Sequence, residues 1–156
     1  MSKVRRSSLA GVAVALLLAG WSAGRLIQAA ERDPATPVGS WRVEVNPEAG
    51  SPIPPGVNFA AFTSEGILVN SNVSGFAAIG NWTKIGPRRY GATFTGFEVA
   101  DGQTLRFLIR ATLVLSGDSA TLDGPFATDV YGADGSRVAS VAGTVHCTRL
   151  RVERLP

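Results

Sequence analysis

From Gly39 onward apolar residues alternate with polar ones, and Gly, Asn, Asp and Pro interrupt them at short intervals. A period of two broken by turn residues is the pattern of half-buried strands, and no helical period of useful length competes with it. Eight strands are predicted. The first is Ser40–Val45, with Trp41, Val43 and Val45 on one face and Arg42 and Glu44 on the other. Asn58–Thr63 and Ile67–Ser71 follow, joined by Ser64-Glu65-Gly66 as a hairpin. Ala77–Ile85 ends at Gly86-Pro87, and Tyr90–Val99 ends at the turn dipeptide Asp101-Gly102. Thr104–Ser116 alternates most cleanly, with Leu105, Phe107, Ile109, Ala111, Leu113 and Leu115 opposite Arg106, Arg110 and Thr112. In Ala120–Tyr131, Leu122, Phe126 and Val130 oppose Asp123, Asp129 and Tyr131. The last strand reads from Arg137 to about Glu153. Between the first two strands, Asn46–Gly56 holds four prolines and two glycines, and is expected to be a stiff loop outside the sheet.

Strands in hairpin order with short turns give an antiparallel, up-and-down arrangement. Several exceed nine residues and none is a truncated, charged edge, so an all-β, closed eight-stranded barrel is preferred to an open sandwich.

The N-terminus changes the picture from fold to destination. Lys3, Arg5 and Arg6 precede an uncharged apolar run from Leu9 to Ala23, Arg25 ends it, and Ala29-Ala30 offer a cleavage point ahead of Glu31. That order is a signal peptide. The run is shorter than the roughly 20 residues of a spanning helix. The expected division is a cleaved signal peptide at 1–30, a linker at 31–38 and the barrel at 39–156. It implies a secreted or periplasmic protein without a membrane association after processing. An uncleaved anchor is the alternative, since Gln28 is a poor residue at −3.

The leader holds four of the 15 Lys and Arg and none of the 12 Asp and Glu, so the remainder carries 11 bases against 12 acids. The basic character leaves with the leader, which argues against nucleic acid as a partner. Cys147 is the single cysteine and has no intramolecular disulfide partner, so core burial must hold the domain together.

With one His and one Cys, a zinc site of the usual ligands is not expected, and no motif calls for any metal or cofactor. Neither a nucleophile elbow nor a phosphate loop is present. Chemistry would have to come from carboxylates, tyrosines, arginines or His146, and Glu98, His146 and Tyr90 are the candidates. On the last strand Arg137, Arg149, Arg151 and Glu153 are all odd-numbered. If odd positions face water, Val138, Ala142, Thr144, His146, Thr148, Leu150 and Val152 face the interior. A bulge near Gly143 or Cys147 would instead turn Val141, Val145 and Cys147 inward and expose His146. The first register is taken here. For Glu98, the reading taken is that Thr93, Thr95, Phe97 and Val99 point inward and Glu98 is a solvated charge. Should Phe94 point inward instead, Glu98 and Tyr90 follow it, and Glu98 would stand at a barrel mouth. Trp41, Trp82, Phe94, Phe107 and Phe126 are the aromatic residues expected around a lumen, to line a ligand site or to fill it.

Gly39-Ser40-Trp41, opening the first strand of an eight-strand pattern, resembles the lipocalins and the wider calycin group. The resemblance implies a Trp at the closed end with an Arg of the last strand, Arg149 or Arg151, over its ring, and a small apolar ligand in the lumen. The strands Tyr90–Val99 and Thr104–Gly117 also look like those of the barrel shared by allene oxide cyclases and dirigent proteins. That likeness implies a cyclase or isomerase acting on an apolar substrate by positioning it, with Glu98, His146 or Tyr90 in support. A third reading is a ligand-free barrel whose outward Val141, Val145 and Cys147 pack on a second copy. Ligand binding without catalysis is the reading preferred.

Overall fold

The structure is a computed structural model that describes residues 36–100 and 102–153. The expected signal peptide, most of the linker and Asp101 lie outside the described residues.

Eight antiparallel strands follow one another around a closed barrel: β1 (Gly39–Pro47), β2 (Gly56–Phe62), β3 (Ile67–Asn72), β4 (Ala77–Gly86), β5 (Arg89–Ala100), β6 (Gln103–Leu115), β7 (Thr121–Tyr131) and β8 (Arg137–Arg149). The β1–β8 ladder, from Trp41 opposite Arg149 to Pro47 opposite Gly143, closes the ring, so among the described residues no strand is left with an unpaired edge. Asn46 and Pro47 do join the sheet, contrary to the loop expected from Asn46 onward. Pro47 pairs only with β8, because the β1–β2 ladder stops at Val45 opposite Gly56, and a missing N–H is tolerated on that free side.

The inward faces of β6 and β7 are the ones their alternation predicts, with Ile109, Leu113, Leu115, Leu122, Phe126 and Val130 buried. Two other strands are turned over relative to expectation. On β5 it is Tyr90, Ala92, Phe94 and Gly96 that face inward, while Phe97 and Val99 are exposed. On β8 the odd positions Val141, Val145 and Cys147 face inward and His146 points out, its side chain 45 % exposed. The cause is a register shift at the start of β8: Val130 pairs with Ala139, but the next residue, Tyr131, pairs with Arg137. One extra residue, Val138, is inserted there, so Arg137 faces out although the odd positions after it face in. At the other end β8 stops at Arg149, whose charge is turned inward over Trp41, and Arg151 and Glu153 lie beyond the sheet. The self-association surface expected from Val141, Val145 and Cys147 is therefore interior, not exterior.

Gly143 shows how tightly this wall is drawn. A Cβ there would stand 2.4 Å from Asn46 O, 2.7 Å from Pro47 Cα and 2.8 Å from Phe126 Cε1, so only glycine lets β1, β8 and the Phe126 ring meet.

One end of the barrel is plugged. Trp41, Tyr90, Leu115 and Leu122 are almost fully buried there, each worth roughly 1.5–3 kcal/mol of apolar burial. Trp82 packs edge-on against both Phe62 and Tyr90, with centroids 6.0 and 5.7 Å away, and its Nε1 donates to Thr63 O at 3.1 Å. Residues 36–38 fold across this end, where buried Pro37 accepts a 2.8 Å hydrogen bond from Trp41 Nε1.

Candidate functional site

Above the plug the lumen is open. A cavity of about 420 Å³ runs from a floor of Val43, Phe62, Leu68, Leu113 and Cys147 to a mouth edged by the Pro-rich β1–β2 loop and the β3–β4 turn. It lies within the range of small-molecule sites, and its walls are mainly apolar. The inward alternation of eight strands supplies those walls. Small residues at Ala60, Ala92 and Ala111 leave the space that larger ones would fill.

Of the aromatic residues expected around the lumen, Phe94, Phe107 and Phe126 line the cavity. Phe76, from the β3–β4 turn, meets Phe107 edge-on at 5.4 Å and narrows the mouth. Trp41 and Trp82 lie below the floor, in the plug. Arg149, not Arg151, stands over Trp41, with its guanidinium carbon 4.2 Å from the ring centroid. Its Nε donates to Ser119 O at 2.8 Å, Nη1 to Val38 O at 2.7 Å and Nη2 to Thr36 O at 2.8 Å. Gly39 is needed beside it: φ is +133°, and a Cβ would stand 2.8 Å from Arg149 Nη1. The Gly-x-Trp spacing thus serves the closed end, not the ligand space.

The three residues singled out for chemistry do not converge. Tyr90 is buried in the plug. His146 is on the outer wall, where its Nδ1 meets Asp123 Oδ1. Glu98 alone reaches the lumen, at the rim of the mouth, and is exposed. Among the described residues no three His, Cys, Asp or Glu side chains are grouped to hold a metal ion.

The polar groups that do reach the lumen are ones the alternation hides. Asn70 and Thr128 are buried and line it together with Asn58 and Asn72. Asn58 Nδ2 donates to Asn70 Oδ1 at 3.0 Å. Their signal is positional: Asn58 shares its face with Ala60 and Phe62, Asn70 with Leu68, and Thr128 with Phe126. At the floor, burial, with a smaller contribution from the Asp123 charge, pushes the Cys147 thiol up to about 12, so it is a neutral, inert wall group near pH 7.

Outside, charge is unevenly spread. On β6–β8, Asp129 accepts from Ser140 Oγ at 2.7 Å and pairs with Arg110 and Arg137, while Arg106 covers the Tyr131 ring at 4.2 Å. Ser140 and Arg110, chiefly, hold the Asp129 carboxyl below its usual range. On β2–β5 the outward residues Val57, Phe59, Ile67, Val69, Ile79 and Phe97 are exposed, Ile79 and Phe97 at 59 % each.

Comparison with models of protein families, with curated proteins and with solved structures finds no match to this chain.

Proposed function

We propose that this chain is an exported binding protein that holds a small apolar molecule in the lumen of a calycin-like barrel. The observation that carries the reading is the cavity of about 420 Å³, apolar in its walls and open at one end only. A plug of Trp41, Trp82 and Tyr90 at the other end supports it, because a floor built from aromatic residues keeps the lumen from being a channel. The Gly39-Ser40-Trp41 opening with Arg149 over the indole supports the calycin likeness. The leader supports export to a secreted or periplasmic location. Among the described residues no group of reactive side chains converges on the cavity, which supports binding over turnover as the preferred reading.

The test is native mass spectrometry of the mature protein from its own host, with extraction of whatever is bound, beside an Ala111→Phe variant. Ala111 lines the lumen on β6, and a Phe ring there occupies ligand space. A co-purifying apolar molecule, lost on denaturation and absent from the variant, is the expected result. A barrel that carries nothing and takes up no apolar dye overturns the reading.

A second reading, self-association, has its own observation in the exposed apolar face of β2–β5. It is compatible with the first, and a concentration-dependent mass that Phe97→Asp abolishes would support it.

A further inference from the structure

The lumen is apolar but not indifferent to the head of an amphiphile. Among the described residues, Glu98 is the one charged side chain that lines the cavity, and it stands at the mouth. Among the described residues no Lys, Arg or His lines the cavity, and Glu98 has no ion-pair partner. The uncharged polar groups occupy the mouth half as well. Asn58 and Asn70 come from the start of β2 and the end of β3, and Thr128 faces them from β7, three and four strands away around the ring. The Asn58–Asn70 hydrogen bond uses one donor and one acceptor, leaving Asn58 Oδ1 and the Asn70 Nδ2 amide for a ligand. Neither is sealed in, since no buried side-chain N or O among the described residues lacks a partner.

We infer that the lumen takes an amphiphile whose head is an amine or an uncharged hydrogen-bonding group, and discriminates against the carboxylate of the same chain length. This rests on the lumen being a ligand site, and it adds which ligands enter. With its head at the mouth, an ammonium meets the Glu98 carboxylate, whereas a ligand carboxylate meets a like charge that no cation among the described wall residues offsets. Turned about, a ligand carboxylate would have to desolvate among Phe62, Leu68 and Leu113, which offer it no donor. An alcohol or amide meets neither penalty and can use the free Asn58 and Asn70 groups.

The experiment uses decylamine, decanol and decanoate at pH 7, each displacing an apolar fluorescent dye from the wild-type protein and from Glu98→Gln and Glu98→Lys. Glu98 is exposed on the rim, so both variants are expected to fold, and an unchanged circular dichroism spectrum and thermal melt check that they do. Decylamine and decanol are expected to bind about tenfold more tightly than decanoate, an effect that combines like-charge repulsion with desolvation. E98Q should narrow the decylamine–decanoate difference by about two- to fivefold, as removal of an exposed ion pair does. E98K should bring decanoate to or above decylamine. If decanoate matches decylamine in the wild type, or E98K leaves the order unchanged, the charge inference falls while the lumen remains a ligand site. If neither the dye nor any of the three binds, the ligand-site reading falls and takes the inference with it.

Discussion

The guanidinium carbon of Arg149 lies 4.2 Å from the centroid of the Trp41 ring, directly across the β1–β8 seam that closes the barrel. The pair does two things at once. It satisfies a charge that the end of β8 turns inward, and through three backbone carbonyls it ties the seam to the β6–β7 turn and to residues 36–38. The bottom of the cup is therefore held by the strands that are farthest apart in sequence.

Arg149→Ala is expected to cost about 2–4 kcal/mol, from the lost cation–π contact and three carbonyls left without their donor. Arg149→Lys should recover only part, because an ammonium lacks the planar fork that reaches Ser119, Val38 and Thr36 together. Urea unfolding of the barrel measures both. Equal stability of R149A and wild type would mean that the pair is incidental.

How much of this was legible in the sequence depends on how one-sided each strand is. In β6 the apolar residues from Leu105 to Leu115 run without interruption against Arg106 and Arg110, and the faces are as read. In β5 both faces have apolar members, since Phe97 and Val99 alternate with Phe94, and the inward set includes Gly96, so alternation carries no sign. In β8 the one-residue insertion at Val138 and the inward Arg149 break the rule that charge marks the outside. Asn58 and Asn70 carry no signal of their own in the sequence, since a polar side chain on an apolar face does not tell a cavity wall from a surface, yet here they face a cavity.

Gly143→Ala should destabilise by about 1–3 kcal/mol, because two of the three atoms its Cβ would meet belong to the backbone of β1 and give way only by shifting the strand. Gly117 in the β6–β7 turn meets nothing within 4 Å, so Gly117→Ala is expected to be neutral or slightly stabilising. Thermal melts of the two variants side by side separate backbone approach from the general effect of replacing glycine.

Ser140→Ala should raise the Asp129 pKa, since the Ser140 hydroxyl is the largest cause of its depression, and Arg110→Ala should raise it as well. The sign for stability follows. A carboxyl depressed in the folded state contributes stability that is present above the unfolded value and lost as pH falls through the folded one. Acid unfolding of wild type should therefore be shifted to higher pH in both variants. Carboxyl-carbon titration by NMR reads the pKa directly, and an unmoved Asp129 in S140A would contradict the assignment.

Cys147 gives the opposite limb of the pH profile. Its thiol titrates near 9 when unfolded and is pushed up to about 12 in the folded wall, so the folded state holds the proton over that interval while the unfolded state has released it. The resulting stability is fully present below about pH 9 and is lost as pH rises toward 12. The slope approaches roughly 1.4 kcal/mol per pH unit where only the unfolded thiol is ionised. Other groups titrate in this range, so the measurement is the difference between wild type and Cys147→Ala. The variant should be less stable at pH 7, where the methylene and sulfur are missing from the floor, and the gap should close as pH rises from 9 to 11. The same burial predicts that a thiol-alkylating reagent labels Cys147 at pH 7 only in denaturant. Rapid labelling of the folded protein, or a stability gap that does not change with pH, would show that the floor of the lumen is wet.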